Sequence, residues 1–312
     1  MRLPVAILLV ACGAGYTQTP VRGPVVGLVY DAGSHSIRPI NGILGAAMLG
    51  NPLVSGLDWA DVAPNGKSAI AFASGQLQFI SGLDGNPTRV SVAQMGSCCD
   101  LSGWSPDSTA VALYTGASRQ LAVVSGLNGS ATVSRTDLSA FTGAVTFVLI
   151  DSEVRVFLGI EGNGSGVYML DRNGLPRLVA RLDHPHTGGL LGARTAIADA
   201  GTHKLFELRA GRGSDGVNLI ADLSDNANDP VGLGSWSSRF FVADRSSNSV
   251  LVFDQASGQL MATLPVDIPP TGMKPLAPGS LFLLGGGGTG PFYILDARGA
   301  GTIYFVPAGG GQ

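Results

Sequence analysis

Residues 240–266 read FFVADRSSNSVLVFDQASGQLMATLPV, and residues 282–308 read FLLGGGGTGPFYILDARGAGTIYFVPA. The two stretches align without a gap at an offset of 42, which places Asp254 on Asp296 and Pro265 on Pro307. Working outward, residues 28–41 (LVYDAGSHSIRPIN) lie ungapped over residues 241–254. Residues 77–85 (LQFISGLDG), 121–129 (LAVVSGLNG) and 167–174 (VYMLDRNG) repeat an apolar run closed by a polar residue and a turn. The closing residues are Asn41, Ser81, Ser125, Asp171, Asp254 and Asp296, at intervals of 40, 44, 46, 83 and 42. The 83 is two periods, so a degenerate copy is hidden near residue 213. There, residues 203–223 (HKLFELRAGRGSDGVNLIADL) still alternate apolar and polar. Seven copies over 255 residues give a period of 42.5. A repeat of that length holding four short strands is the signature of a β-propeller blade. The expected fold is all-β, a propeller of seven blades of four antiparallel strands, with six or eight blades as the alternatives.

The parts of each unit have physical reasons. The compact apolar runs 69–72, 110–113 and 240–243 suit second strands packed between neighbouring blades on both faces. Pro64-Asn65-Gly66 and Pro106-Asp107-Ser108 sit 42 apart and read as turns between first and second strands. Gly85, Gly129, Gly174, Gly258 and Gly299 follow the closing residues and are expected to supply positive φ in the turn to the outer strand. Composition agrees with an all-β chain. Of 312 residues 46 are Gly, 13% are charged, and the only glutamates are Glu153, Glu161 and Glu207, too few for long solvent-facing helices. The net charge of −3 carries no basic cluster, which argues against a nucleic-acid partner.

The N-terminus reads as an address. Arg2, the apolar run 3–10 and the small residues 11–15 form a signal-peptide layout, far short of a bilayer span of roughly 20 residues. Leu9-Val10-Ala11-Cys12 resembles a bacterial lipobox, in which Cys12 is the lipid attachment site; ordinary cleavage near residues 13–15, with loss of Cys12, is the equal alternative. The expected organisation is a signal peptide over 1–15, of ordinary or lipoprotein type, a linker over 16–24, one propeller over 25–308 and a tail over 309–312. The protein is expected to be exported: periplasmic, anchored to the outer membrane, or extracellular.

Residues 103–114 (GWSPDSTAVALY) and 62–72 (VAPNGKSAIAF) resemble the SPDGxxIAF core of WD40-like repeats, as in the C-terminal propeller of the periplasmic protein TolB. Residues 245–266 are similar to the YVTN and NHL type repeats of bacterial surface propellers. The resemblance covers about residues 25–308. Its motifs shape turns and imply no chemistry, and the chain lacks both a WD dipeptide and the TolB N-terminal domain. Closure of the ring is the open point. The last unit holds four strands, whereas the first shows three, so its innermost strand comes from residues 15–23, comes from the C-terminal GGGQ, or is missing.

Candidate sites are few. Adjacent Cys98 and Cys99 would form a vicinal disulfide in an oxidising compartment; the plain reading is two small buried side chains. His184 and His186, at i and i+2 of an extended segment, would face one side and are the weak metal candidates, although two ligands are not a site. Asp58 and Asp61 would turn to opposite faces of a strand and make no acid/base pair. Trp59, Trp104 and Trp236 read either as an aromatic ring at the propeller mouth or as packing between blades. Residues 222–230 (DLSDNANDP) lack the spacing of a calcium loop. No serine-histidine-acid pattern stands out, and no catalytic or cofactor-binding residue is assigned. Two function classes follow. One is an exported, monomeric, non-catalytic scaffold that binds a protein, peptide or glycan on a propeller face. The other is a lactonase-like propeller hydrolase with a metal, such as calcium, in the central channel.

Overall fold

The computed structural model describes residues 23–171, 173–211, 215–276, 279–285 and 290–308. Residues 1–22, including Cys12 and both proposed cleavage regions, and the tail 309–312 lie outside the described residues.

Among the described residues, twenty-eight strands fall into seven sheets, each made of consecutive strands. The first holds β1 (Val25–Asp31), β2 (Ser36–Asn41), β3 (Met48–Leu49) and β4 (Val54–Ser55). The second holds β5 (Trp59–Val62), β6 (Ser68–Ala73), β7 (Gln76–Ser81) and β8 (Thr88–Gln94). The third holds β9 (Leu101–Trp104), β10 (Ala110–Thr115), β11 (Gln120–Ser125) and β12 (Thr132–Asp137). The fourth holds β13 (Ala144–Ile150), β14 (Val156–Glu161), β15 (Gly166–Leu170) and β16 (Pro176–Ala180). The fifth, the degenerate unit, holds β17 (Pro185–Leu191), β18 (Arg194–Asp199), β19 (Lys204–Arg209) and β20 (Gly216–Asp222). The sixth holds β21 (Pro230–Trp236), β22 (Arg239–Asp244), β23 (Ser249–Asp254) and β24 (Leu260–Pro265). The seventh holds β25 (Lys274–Pro275), β26 (Leu281–Leu283), β27 (Phe292–Asp296) and β28 (Thr302–Val306). Every pairing is antiparallel, and in blades 2 to 7 the strands follow one another from inner to outer. The chain is a seven-bladed propeller.

The core is a ring of apolar seams between blades. In the seam between blades 5 and 6, Ala196, Ala198 and Leu205 meet Leu233, Phe240 and Phe253. The seam between blades 6 and 7 sets Phe241, Val250 and Val252 against Phe282, Tyr293 and Leu295. Second strands are buried on both faces: β6 and β10 are buried at all six positions. Burial of that kind contributes about 25 cal/mol per Å² of apolar surface and is the main source of stability here. Near the axis the strands approach closely. A Cβ on Gly232 would strike the backbone of Met273 in the next blade, and one on Gly103 the backbone of Val148.

The closing residues of each repeat also have a structural role. Asp171, Asp254 and Asp296 end third strands or follow them directly, and their carboxylates accept amide hydrogens two to four residues ahead, as at Asn173, Ser257 and Arg298. Where the repeat has serine, a hydroxyl pair replaces this: Ser81 meets Thr88 at 2.9 Å and Ser125 meets Thr132 at 3.0 Å. The substitution changes the turn. Gly174, Gly258 and Gly299 have the expected positive φ, but in the two serine blades it falls at Gly82 (71°) and Gly126 (73°) rather than at Gly85 and Gly129. Serine offers no carboxylate to an amide ahead of it, so the left-handed residue comes directly after the strand.

Blade 1 departs from the pattern. Its sequence alignment, its seams and its turn assign β1 to the second position and β2 to the third. Leu28 and Ile37 pack toward blade 2 beside Ala69 and Ile80, while Val29 and Ile40 pack toward blade 7 beside Leu281 and Phe292. The outer position is shared by β3 and β4, which both pair with β2. Among the described residues, no strand lies inside β1. No sheet mixes strands from the two ends of the described chain, so the ring closes through the apolar seam between blades 7 and 1.

Candidate functional site

The inner strands face a central channel. A cavity of about 280 Å³ opens in it, lined in part by Ser102 on β9, Thr146 on β13, His186 and Thr187 on β17, and Val231 on β21. Three of these side chains share a cause. The ladders β13–β14, β17–β18 and β21–β22 each skip one residue near the start of the inner strand, between Val145 and Phe147, Pro185 and Thr187, and Pro230 and Gly232. The skipped residues are Thr146, His186 and Val231. A β-bulge breaks the two-residue alternation and re-aims a side chain, and here it brings three equivalent positions to one cavity.

Two ion pairs flank it. Asp229, in the loop before β21, accepts from Arg245 Nε at 2.8 Å and lies 3.0 Å from His186 Nε2. Its own amide donates to Asp244 Oδ1 at 2.6 Å, which fixes the loop on the buried carboxylate ending β22. Burial pushes Asp244 upward, but hydrogen bonds from Ser247, the Asp229 amide and Ser246 outweigh it and hold the carboxyl below its ordinary value. Deeper in the channel, Lys274 Nζ donates to Asp61 Oδ1 at 2.8 Å, and Ser102 Oγ donates to Asp61 Oδ2 at 2.6 Å. The pair Lys274–Asp61 joins blade 7 to blade 2 past blade 1, where among the described residues no strand lies inside β1. Each cation lining the cavity therefore has its own carboxylate. What the walls still offer is hydroxyl groups and backbone.

The sequence-derived candidates scatter. His184 and His186 do not converge: His184 Nδ1 lies 2.7 Å from Glu161 Oε1, while His186 turns to Asp229. His184 lies ahead of β17 and His186 sits in its bulge, so the i, i+2 rule of a regular strand does not hold for them. Among the described residues, no three His, Cys, Asp or Glu come together. Asp58 and Asp61 part as expected, Asp58 accepting from the Ser74 amide at 3.0 Å. The tryptophans form no ring: Trp59 begins its inner strand, whereas Trp104 and Trp236 end theirs. Trp59 and Trp104 pack in the seam between blades 2 and 3. Cys98 and Cys99 lie ahead of β9 with their sulfurs facing each other, Cys99 buried in the same seam. Thr146, Asp229, Arg245 and Lys274 had no sequence signal, because register and bulges decide which residues reach the axis.

No family model matches the chain, and no curated protein is similar to it. Solved structures are. A streptogramin B lyase matches 92% of this chain and 95% of its own at 11% identity, with a TM-score of 0.58. A functionally unknown protein from Desulfotomaculum acetoxidans matches 91% and 99% at 14% identity, TM-score 0.58. Virginiamycin B lyase from Staphylococcus aureus matches 80% and 83% at 13% identity, TM-score 0.57. At these identities the likeness establishes the propeller fold and nothing finer.

Proposed function

We propose that this protein is an exported, monomeric binding propeller that takes a polar, uncharged part of a glycan, peptide or protein at the channel mouth. The observation that carries this is the charge balance of the channel cavity. Arg245 is matched by Asp229 and Lys274 by Asp61. A charged ligand would have to break one of these pairs, whereas Ser102 and Thr146, whose hydroxyl protons go to Asp61 and the Pro185 carbonyl, still accept hydrogen bonds from a neutral one, and Thr187 adds a third hydroxyl. Binding through hydroxyls and shape predicts weak salt dependence. The test is a thermal-shift and NMR screen of neutral oligosaccharides and short peptides, repeated with Thr187→Trp, which fills the cavity. Binding by the native chain, insensitive to salt and lost in Thr187→Trp, supports the reading. Binding that survives Thr187→Trp, or no binding in the panel, overturns it.

The second reading is a propeller enzyme, of the hydrolase class with a channel metal or of the lyase class that two structural neighbours bear in their names. It is favoured by His186, an imidazole set against a carboxylate at the channel mouth. Elemental analysis of the dialysed protein and turnover abolished by His186→Ala would select it. Export also carries a chemical consequence. The Cys98–Cys99 pair is expected to be oxidised, giving an intact mass two hydrogens below that of the reduced chain. Cys12 is the proposed lipid anchor, which the same mass measurement reads as an added diacylglyceryl group.

A further inference from the structure

Five Asn-Gly pairs occur in the chain: Asn41-Gly42, Asn65-Gly66, Asn128-Gly129, Asn163-Gly164 and Asn173-Gly174. An asparagine followed by glycine can lose ammonia without any enzyme. The glycine nitrogen attacks the side-chain carbonyl, and glycine favours this because it puts no Cβ in the way. The attack needs a glycine amide that can give up its proton and swing toward the side chain. The five pairs share this local chemistry and differ in the turns that hold them.

In four pairs the glycine amide is committed. Gly66, Gly129 and Gly174 donate to carbonyls three residues back, at Ala63 (2.9 Å), Gly126 (2.9 Å) and Asp171 (3.0 Å), and Gly42 donates to Pro24 O at 2.8 Å. The Asn65 side chain is held as well, its Oδ1 accepting from the Lys67 amide at 2.8 Å. Asn163-Gly164 sits one residue earlier in its turn. The closing bond there comes from Ser165, whose amide donates to Gly162 O at 3.1 Å. Asn163 and Gly164 are therefore the two central residues, and the amide of the second central residue is not the closing donor of a β-turn. Gly162 has a φ of 100° and Gly164 one of 81°, so the asparagine is flanked on both sides by backbone of high freedom. Both Asn163 and Gly164 are exposed.

We propose that Asn163 is a site of spontaneous deamidation. The Gly164 nitrogen loses its proton to solvent base and bonds to Asn163 Cγ, the Cγ–Nδ2 bond breaks, and ammonia leaves. Water then adds to one of the two carbonyls of the resulting succinimide and reopens it, leaving an aspartyl or isoaspartyl residue at position 163. The turn joins β14 to β15 on the face where β17 begins. At one end Glu161 Oε1 lies 2.7 Å from His184 Nδ1, and at the other Ser165 Oγ donates to Asp183 O at 2.5 Å. The reaction therefore sets a new carboxylate in the turn that carries Glu161, packed on the segment that leads to His186 in the channel cavity. The isoaspartyl product also lengthens the main chain of that turn by one methylene.

The experiment ages the full-length chain at mildly alkaline pH, folded and in guanidinium chloride side by side. Mass spectrometry of the peptides reads each Asn-Gly pair for replacement of the amide by a carboxyl and for isoaspartate. In guanidinium the five pairs should react at similar rates. In the folded chain Asn163 should keep close to its unfolded rate, while the other four slow roughly tenfold or more, because each must first break a hydrogen bond. Asn163→Gln should abolish the early product, since glutamine would have to close a larger ring. An Asn163 slowed as much as the other four overturns the proposal, and so does any other pair that reacts first in the folded chain.

Discussion

Blades 1 and 6 carry the same hairpin in different surroundings. In both, the turn between the second and third strands holds a residue at positive φ, His35 at 49° and Asn248 at 50°. Both turns accept a hydrogen bond from the end of their outer strand, Leu57 N to His35 O and Val266 N to Asn248 O. Both begin with a buried aspartate, Asp31 and Asp244, that accepts from serines ahead of it. Beyond the hairpin they diverge. Blade 6 has four full strands and a stacked Phe240–Phe253 pair with ring centroids 4.9 Å apart. Among the described residues, blade 1 has two full strands and a split outer strand, with no strand inside β1. Local sequence therefore sets the hairpin, while the position in the ring decides whether the blade around it is complete.

Mutations sharpen that contrast. Phe240→Ala in blade 6 should cost about 3–5 kcal/mol, because a fully buried ring leaves a cavity between complete sheets. Val29→Ala in blade 1 should cost about 1.5 kcal/mol, two buried methyl groups in the seam with blade 7. Urea unfolding checks both, and equal costs would break the comparison. Next, Asp244→Asn should destabilise by about 1–3 kcal/mol, since the amide cannot accept all the bonds the carboxylate holds, and Asp31→Asn by less. Asp244 is 0% exposed, whereas Asp31 at 8% is reached by water.

Acid unfolding probes the same two carboxyls. Burial raises Asp31, but Ser34, Arg38 and the Gly33 amide outweigh it, so its pKa, like that of Asp244, lies below the ordinary 3.8. A depressed folded-state pKa stabilises the fold above the unfolded value, and the contribution is lost as pH falls through the folded one. Stability should be flat near neutrality and fall below about pH 4, and less steeply in D244N and in D31N than in the native chain. The smallest effect is expected at the serine closures. Ser81→Ala removes an exposed hydroxyl pair worth about 0.5 kcal/mol, and Ser81→Asp should recover it by restoring the carboxylate used in blade 6.

How much was legible follows from the range of each interaction. The 42-residue period, the turns at 64–66 and 106–108 and the second strands over 69–72 and 110–113 depend on neighbours a few residues apart, and they stand where the sequence puts them. The hidden copy near residue 213 was readable for the same reason, its alternation surviving after its turn motif was lost. His184 and His186 turn to different carboxylates, which alternation could not show, because nothing local marks the bulge at His186 or the start of β17 after His184. Asp229, Arg245, Lys274 and Asp61 meet only because the ring brings blades 2, 6 and 7 to one axis.

The sequence by itself thus determined the repeat and the all-β class and favoured seven blades over six or eight, since these rest on hydrogen bonds and apolar alternation within a single unit. Only the tertiary structure decided which side chains face the channel, which charges neutralise one another there and which blades meet across the ring. Those depend on register, bulges and the packing of blades distant in the chain, which no stretch of 42 residues contains.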